Sequence, residues 1–234
     1  MFGGRDIGAG HLRGWGLEYG ELYEKHLAAD PIFAAAFNAA KDRGSLLTLH
    51  KLCNLYLIIR YAMAEDHGDI FEFGSFSGGS AVFMATILKQ LGRKASVLAF
   101  DTFAGMPPTD AVRDMHSEGD FNKTGYAELL EYIRSKGLGA HLRTVQGTFD
   151  ETLPGVLEDN GTIGMIHVDC DIYEPIKFVV RACLPHMPAQ THVAFDDPLH
   201  GSCLGAFDAV QELMIRELDL TAEQAYPHLV FRSP

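Results

Sequence analysis

The hydrophobic rhythm of the chain changes near residue 68. Before it, apolar residues recur at three- and four-residue steps. Leu49, Leu52, Tyr56, Ile59 and Met63 share one face of a helix predicted over 46–66. Shorter helices are predicted over 17–29 and 31–42, the second opened by Asp30 as cap and Pro31 in its first turn. Residues 1–15 are glycine-rich and predict a mobile segment. After residue 68, short apolar runs alternate with helical stretches. "DIFEF" (69–73), "SVLAFD" (96–101), "LRTVQG" (142–147), "IGMIHVD" (163–169) and "THVAFD" (191–196) read as strands. Helices are predicted over 79–91, around 125–136, and over 151–159, 174–184 and 203–218. "HLVFRS" (228–233) reads as a last edge strand.

Strands that are apolar throughout, alternating with helices, predict an α/β fold with a mostly parallel central sheet covered on both faces. Residues 1–66 are read as an N-terminal helical extension and 67–234 as the main domain. Ligands of such sheets lie beyond the carboxyl ends of the strands, where strand order reverses. Those ends carry Glu72–Gly74, Asp101, Gly147, Asp169–Asp171 and Asp196–Asp197. One acid at a strand end is routine. Several on one edge repel each other unless a cation sits among them.

The turn after the first of these strands, "GSFSGG" (74–79), has the outline of a nucleotide-binding loop. Phe76 stands where the dinucleotide fingerprint needs a glycine for close approach of a pyrophosphate. A nucleoside without phosphate is therefore favoured, and S-adenosylmethionine is one. Asp101 is placed to accept both ribose hydroxyls in bidentate fashion. "VQGTF" (145–149) ends the third strand, where an adenine would lie; Phe149 either packs on the purine or belongs to the core.

Charge and composition narrow the partners. A net charge of −12 over 234 residues argues against nucleic acid and against an anionic membrane surface. The start, "MFGGRDIGAG", lacks the apolar core of a signal peptide, and no apolar window is long enough for a transmembrane helix. Four scattered cysteines without CxxC spacing predict reduced thiols in a cytoplasmic protein.

"FEFGSFSGGSA", "FDTFAGMP", "VQGTFDETLP", "HVDCDIYEP" and "AFDDPLHGSCLGAFDAV" occur in that order. Together they resemble the macrocin O-methyltransferase family, over about residues 46–217. The resemblance implies a Rossmann-like class I methyltransferase fold, S-adenosylmethionine as methyl donor, a divalent metal, usually magnesium, and a hydroxylated acceptor, a sugar or sugar-bearing natural product. Carried over by position, Glu72, Gly74, Ser75 and Ser80 fall on the cofactor loop. Asp101, with Thr102, falls on the ribose-binding acid, and Gly147, Thr148 and Phe149 fall near the adenine. Asp169, Asp196 and Asp197 fall on the metal-binding acids, Asp169 also beside the cofactor, and Asp171 on a candidate base, so that Asp171 and Asp169 are the expected catalytic residues. Cys170 stands where the family more often has glycine, Pro198 where it has an aromatic residue, and the loop over 103–124 is particular to this chain.

The chemistry fits such a set. An alkyl hydroxyl is a weak acid, so its methylation gains from a proton acceptor and from Mg²⁺ or Mn²⁺ held by hard oxygens. In a strand, Asp169 and Asp171 would share one face. The adjacent Asp196 and Asp197 need a turn to reach one ion, which Pro198 favours. His200 is the second candidate base. His167 and His192 are read as packed core residues. His116, with Asp114, Glu118 and Asp120, is read as a solvated face or part of a lid, and Tyr173 as lining the acceptor pocket or packing on the sheet. The loop over 103–124 is long for one without an element of its own. With the N-terminal helices it is expected to close over the donor, and those apolar helices also suggest pairing with a second copy. A nicotinamide-dependent oxidoreductase is disfavoured by Phe76 and by the lack of a Tyr-x-x-x-Lys pair. A non-catalytic binding module has no need of the acid set.

Overall fold

Residues 10–13, 16–19, 29–65, 68–159 and 161–234 are described in the structure, a computed structural model. Strands β1 (Gly10–Arg13) and β2 (Gly16–Tyr19) pair antiparallel. The helix predicted over 17–29 therefore fails at residues 17–19, because a strand two residues away satisfies their backbone groups. The rest of that prediction, over 20–28, lies outside the described residues, as do 1–9 of the segment predicted to be mobile.

Helix α1 (Pro31–Asp42) begins where Asp30 Oδ1 accepts the amide of Ile32 at 2.9 Å. Thr48 caps α2 (Leu49–Leu57), which continues as a π-type turn over Ile58–Ala62. It is shorter than predicted because Thr48 is extended and its hydroxyl serves the first turn. There follow β3 (Asp69–Phe73), α3 (Gly79–Gln90), β4 (Val97–Asp101), α4 (Tyr126–Ser135), β5 (Leu142–Gln146), α5 (Phe149–Asp159) and β6 (Ile163–Val168). The chain ends with α6 (Tyr173–Cys183), β7 (His192–Phe195), α7 (Leu204–Val210, extended by a π-type segment, Gln211–Glu217) and β8 (Leu229–Arg232).

The sheet order is β5-β4-β3-β6-β7-β8, parallel except for β8. Order reverses between β3 and β6, so a crevice opens beyond their carboxyl ends. Alternate residues of each strand feed two cores. Ile70, Val97 and Ala99 face α1, α2, α3 and α4, while Phe71, Phe73, Leu98 and Phe100 face α5, α6 and α7. The N-terminal helices belong to the first core, where Phe33 meets Tyr56 and Phe83 edge-on at 5.3 and 5.9 Å. Burying each such ring contributes about 2–3 kcal/mol. They are thus fixed to the sheet. Among the described residues, no helix is long and apolar enough to cross a membrane.

Candidate active site

A cavity of about 870 Å³ lies along the carboxyl edge of the sheet, from the glycine loop after β3 to the acids after β6 and β7. The loop is built on a close approach. Gly74 has φ +89°, and a Cβ there would lie 1.8 Å from the carbonyl oxygen of Asp169. No other residue lets β3 turn so tightly against the end of β6. Phe76 follows at φ +49°, on the cavity wall, its ring edge-on to Phe121 at 5.7 Å.

Asp101 holds this loop. Its Oδ2 accepts the amides of Ser75 and Phe76 at 2.9 and 2.8 Å, and Oδ1 accepts that of Phe103 at 2.6 Å. Burial still pushes its carboxyl above the usual range. Both acceptor places of Oδ2 are thereby taken and one remains at Oδ1. The expected bidentate grip on two ribose hydroxyls is corrected accordingly: the loop's own amides occupy that capacity.

Ser75, Ser80, Thr102, Thr148 and Phe149 line the cavity with Gly74 and Asp101. Glu72 and Gly147 are not on its wall. Glu72 is fully buried beneath the loop, accepting from Ser75 Oγ at 2.7 Å and facing His167 Nδ1 at 3.2 Å. Gly147 stands behind Thr148, its amide donating to the Asp101 carbonyl at 3.0 Å. Phe149 meets both of its expected descriptions, packing edge-on to Phe73 at 5.4 Å while lining the cavity.

At the other end, Asp169, Asp196 and Asp197 each offer an oxygen within 4.8 Å of the other two. Burial, and then the charges of the neighbouring acids, push Asp169 and Asp197 well above the carboxylate range. Burial works in the same direction on Asp196, but the hydrogen bond from His228 and the charge of Lys51 outweigh it and hold this carboxyl low. Lys51 Nζ is paired with Asp196 Oδ2 and donates to the Asp196 carbonyl at 3.1 Å. Burial pushes His228 down to about 4. Its Nε2 lies 3.0 Å from Asp196 Oδ1, and its Nδ1 lies 3.0 Å from Asn54 Nδ2.

Asp169 and Asp171 do not share a strand face as expected. β6 stops at Val168, and Asp171 is in the left-handed region at φ +62°. Its amide donates to Asp197 Oδ2 at 2.9 Å, which locks the two loops together. Asp196 and Asp197 lie in the turn before Pro198, closed by the His200 amide on the Asp197 carbonyl at 2.8 Å. His167 and His192 are buried, His167 with a polar partner in Glu72. His200 lines the outer cavity. Tyr173 does not line it; its hydroxyl donates to Glu212 and accepts from Lys177 at 2.6 Å, so packing is its role. His116, Met106, Pro107, Pro108 and Phe121 bring the loop over 103–124 onto the cavity wall.

Sequence reading missed Lys51, His228 and Cys203. Lys51 looks like any polar residue of an amphipathic helix. His228 precedes an edge strand and Cys203 is an isolated cysteine, so none carries a local signal.

Residues 71–198 match the family described as "Methyltransferase domain". The 8-demethyl-8-(2,3-dimethoxy-alpha-L-rhamnosyl)-tetracenomycin-C 4'-O-methyltransferase of Streptomyces olivaceus is 28% identical over 172 residues, 69% of this chain and 65% of that protein. The chain thus spans just under two thirds of that relative's length. The mycinamicin III 3''-O-methyltransferase of Micromonospora griseorubida is 24% identical over 198 residues, covering 76% of this chain and 77% of that protein. Among solved structures, the O-methyltransferase NovP superposes with a TM-score of 0.68 at 22% identity, covering 78% of each chain, a likeness of fold.

Proposed function

The chain belongs to the methyltransferase-domain family, and from that premise we propose that it moves a methyl group from S-adenosylmethionine to a hydroxyl of a sugar-bearing natural product, with a divalent metal at the acid cluster. One observation carries the reading: a glycine loop that suits a nucleoside without phosphate shares one cavity with a buried cluster of carboxylates. Both relatives named above are O-methyltransferases by their names, and the name of the first includes a rhamnosyl group, which supports an oxygen acceptor on a sugar-bearing molecule. The finer likeness to macrocin O-methyltransferases rests on the sequence motifs alone.

In this reading the donor lies along the glycine loop, its adenine beside Thr148 and Phe149 and one ribose hydroxyl on the free place of Asp101 Oδ1. Phe76 stands on the cavity wall where a dinucleotide loop needs a glycine, which supports a donor without a pyrophosphate over a nicotinamide cofactor. The acceptor enters between the loop over 103–124 and the acids. The hydroxyl oxygen forms a bond to the methyl carbon as the carbon–sulfur bond breaks, and the sulfonium leaves as a neutral thioether. The hydroxyl proton goes to Asp171. Alignment of the two reactants supplies much of the rate.

The acid cluster fits a hard divalent ion. Its donors are all carboxylate oxygens, and Lys51 balances one of three negative charges, leaving the two that such an ion carries. Asp169, Asp196 and Asp197 would hold it, and when bound it would supply acidification and orientation of the acceptor hydroxyl.

Two measurements test this. Calorimetry should show binding of S-adenosylhomocysteine and none of NADH; the reverse result would make the protein an oxidoreductase. Turnover on glycosylated acceptors should be lost in EDTA and restored by Mg²⁺. Full activity in EDTA would refute the metal while leaving methyl transfer in place.

A further inference from the structure

A second group of donors sits at the rim of the cavity and shares no ligand with the acid cluster. His116 Nε2 lies 3.8 Å from Asp171 Oδ1 and 3.8 Å from Cys203 Sγ, and Cys203 Sγ lies 3.2 Å from Asp171 Oδ1. The His116 nitrogen is too far from the carboxylate for a hydrogen bond. Donors bound at 2.0–2.3 Å around a tetrahedral ion stand about 3.3–3.6 Å apart, so this triangle is within a few tenths of an ångström of that geometry. His200 stands outside this set: its Nδ1 lies 4.0 Å from Cys203 Sγ and is bonded to Ser202 Oγ at 2.7 Å. On the far side of the His116 ring, Nδ1 faces Asp120 Oδ2 at 3.6 Å.

We propose that His116, Asp171 and Cys203 form a three-ligand, zinc-class metal site that fastens the loop over 103–124 to the carboxyl edge of the sheet, with water as the fourth ligand. An imidazole, a thiolate and a carboxylate are a borderline-soft set, suited to Zn²⁺ and poorly suited to Mg²⁺. The oxygen-only cluster around Asp197 has the opposite preference, so the two sites sort ions by chemistry. The Cys203 thiol donates to Asp171 Oδ1; a bound ion would take the place of that proton, which leaves to solvent. The ligands come from three segments, so the ion closes the loop over the cavity.

The ion would also occupy Asp171. That consequence, inhibition of turnover by zinc, rests on the function proposed above; the site itself does not. The test therefore reads binding. The full chain, with Mg²⁺ in excess to fill the acid cluster, is titrated with Co²⁺ and then with Zn²⁺. Expected are a thiolate-to-cobalt charge-transfer band and the strong visible bands of tetrahedral cobalt, both abolished by Zn²⁺. Cys203→Ser should remove the charge-transfer band. His116→Ala should weaken Zn²⁺ binding by more than about a hundredfold, beyond the 10–100-fold seen when a group that only supports a ligand is lost. Zinc should protect the loop over 103–124 from limited proteolysis in the parent and not in His116→Ala. The variants alter separate segments, so misfolding of one leaves the other informative. A parent without a sulfur-to-cobalt band, or Zn²⁺ affinity unchanged in both variants, would overturn the site.

Discussion

Asp101 and Asp197 end strands of one sheet, both are largely removed from water, and burial lifts both above the carboxylate range. Their surroundings differ. Asp101 collects three backbone amides within 3 Å, all from loops that it shapes. Asp197 collects one amide, from Asp171, and otherwise faces Asp169, Asp171 and Asp196. The first acid completes a local structure and keeps one acceptor place for a ligand. The second belongs to a set in which Lys51 offsets a single charge. Burial alone does not distinguish a structural acid from one awaiting a cation; the inventory of donors around it does.

The largest effect expected from breaking this contrast lies within the acidic end. Asp171→Asn should lower turnover by roughly 10²–10⁴-fold, the scale of a lost general base, with Mg²⁺ affinity nearly unchanged. Asp197→Asn should weaken Mg²⁺ binding, and excess metal should restore part of its activity. Metal titrations of turnover in the two variants check this. Equal rescue of both would make Asp171 a ligand and move the base to His200.

At the other end, Asp101→Ala should weaken S-adenosylhomocysteine binding by roughly 1.5–3 kcal/mol, because it removes a charged acceptor and also releases the amides of Ser75 and Phe76. Calorimetry on the folded variant measures it. Unchanged affinity would reduce Asp101 to a loop staple.

The smallest effect belongs to an acid outside the site that resembles Asp101 in its partners. Asp30 accepts amides of Ile32 and Phe33 and the Tyr56 hydroxyl, at 2.6 Å from Oδ2. Burial opposes its ionisation, yet the Tyr56 bond, the amides and Arg60 together hold its carboxyl below the usual range. Its stabilisation is then complete above the unfolded value near pH 4 and is lost as pH falls through the lower folded value. Asp30→Ala should cost roughly 1–2 kcal/mol at pH 7. Urea unfolding of both proteins at pH 7 and pH 3 should show that gap narrowing at the acid end; a constant gap would remove the carboxylate charge from the account.

The strands were legible because each is a run of apolar residues bounded by polar or glycine-containing turns, a pattern that the two-sided core of a parallel sheet requires. "DIFEF" needed no tertiary information to be read as β3. The hairpin at 10–19 was not legible, since its pairing joins neighbouring segments without an apolar signal. At the site, the positions of Gly74, Asp101, Asp169, Asp196 and Asp197 were visible as strand ends. The conformation of Asp171 was not, because a reading by strand alternation assumes that β6 continues through it.

Local order along the chain determined which acids reach the carboxyl edge, since strand direction is set by the alternation of short apolar runs and helices. Only the tertiary structure decided what each acid meets there. Lys51 arrives from α2 and His228 from the turn before β8, and they offset part of the repulsion that Asp196 adds to the cluster. His116 arrives from the loop over 103–124 and Cys203 from the start of α7, and they place nitrogen and sulfur beside Asp171. These partners are 32 to 145 residues away in sequence from the acids they meet. Hydrophobic periodicity reports which face of an element is buried. It carries no information on which polar residue of a distant element is buried opposite, because that depends on how the helices and loops pack over the sheet.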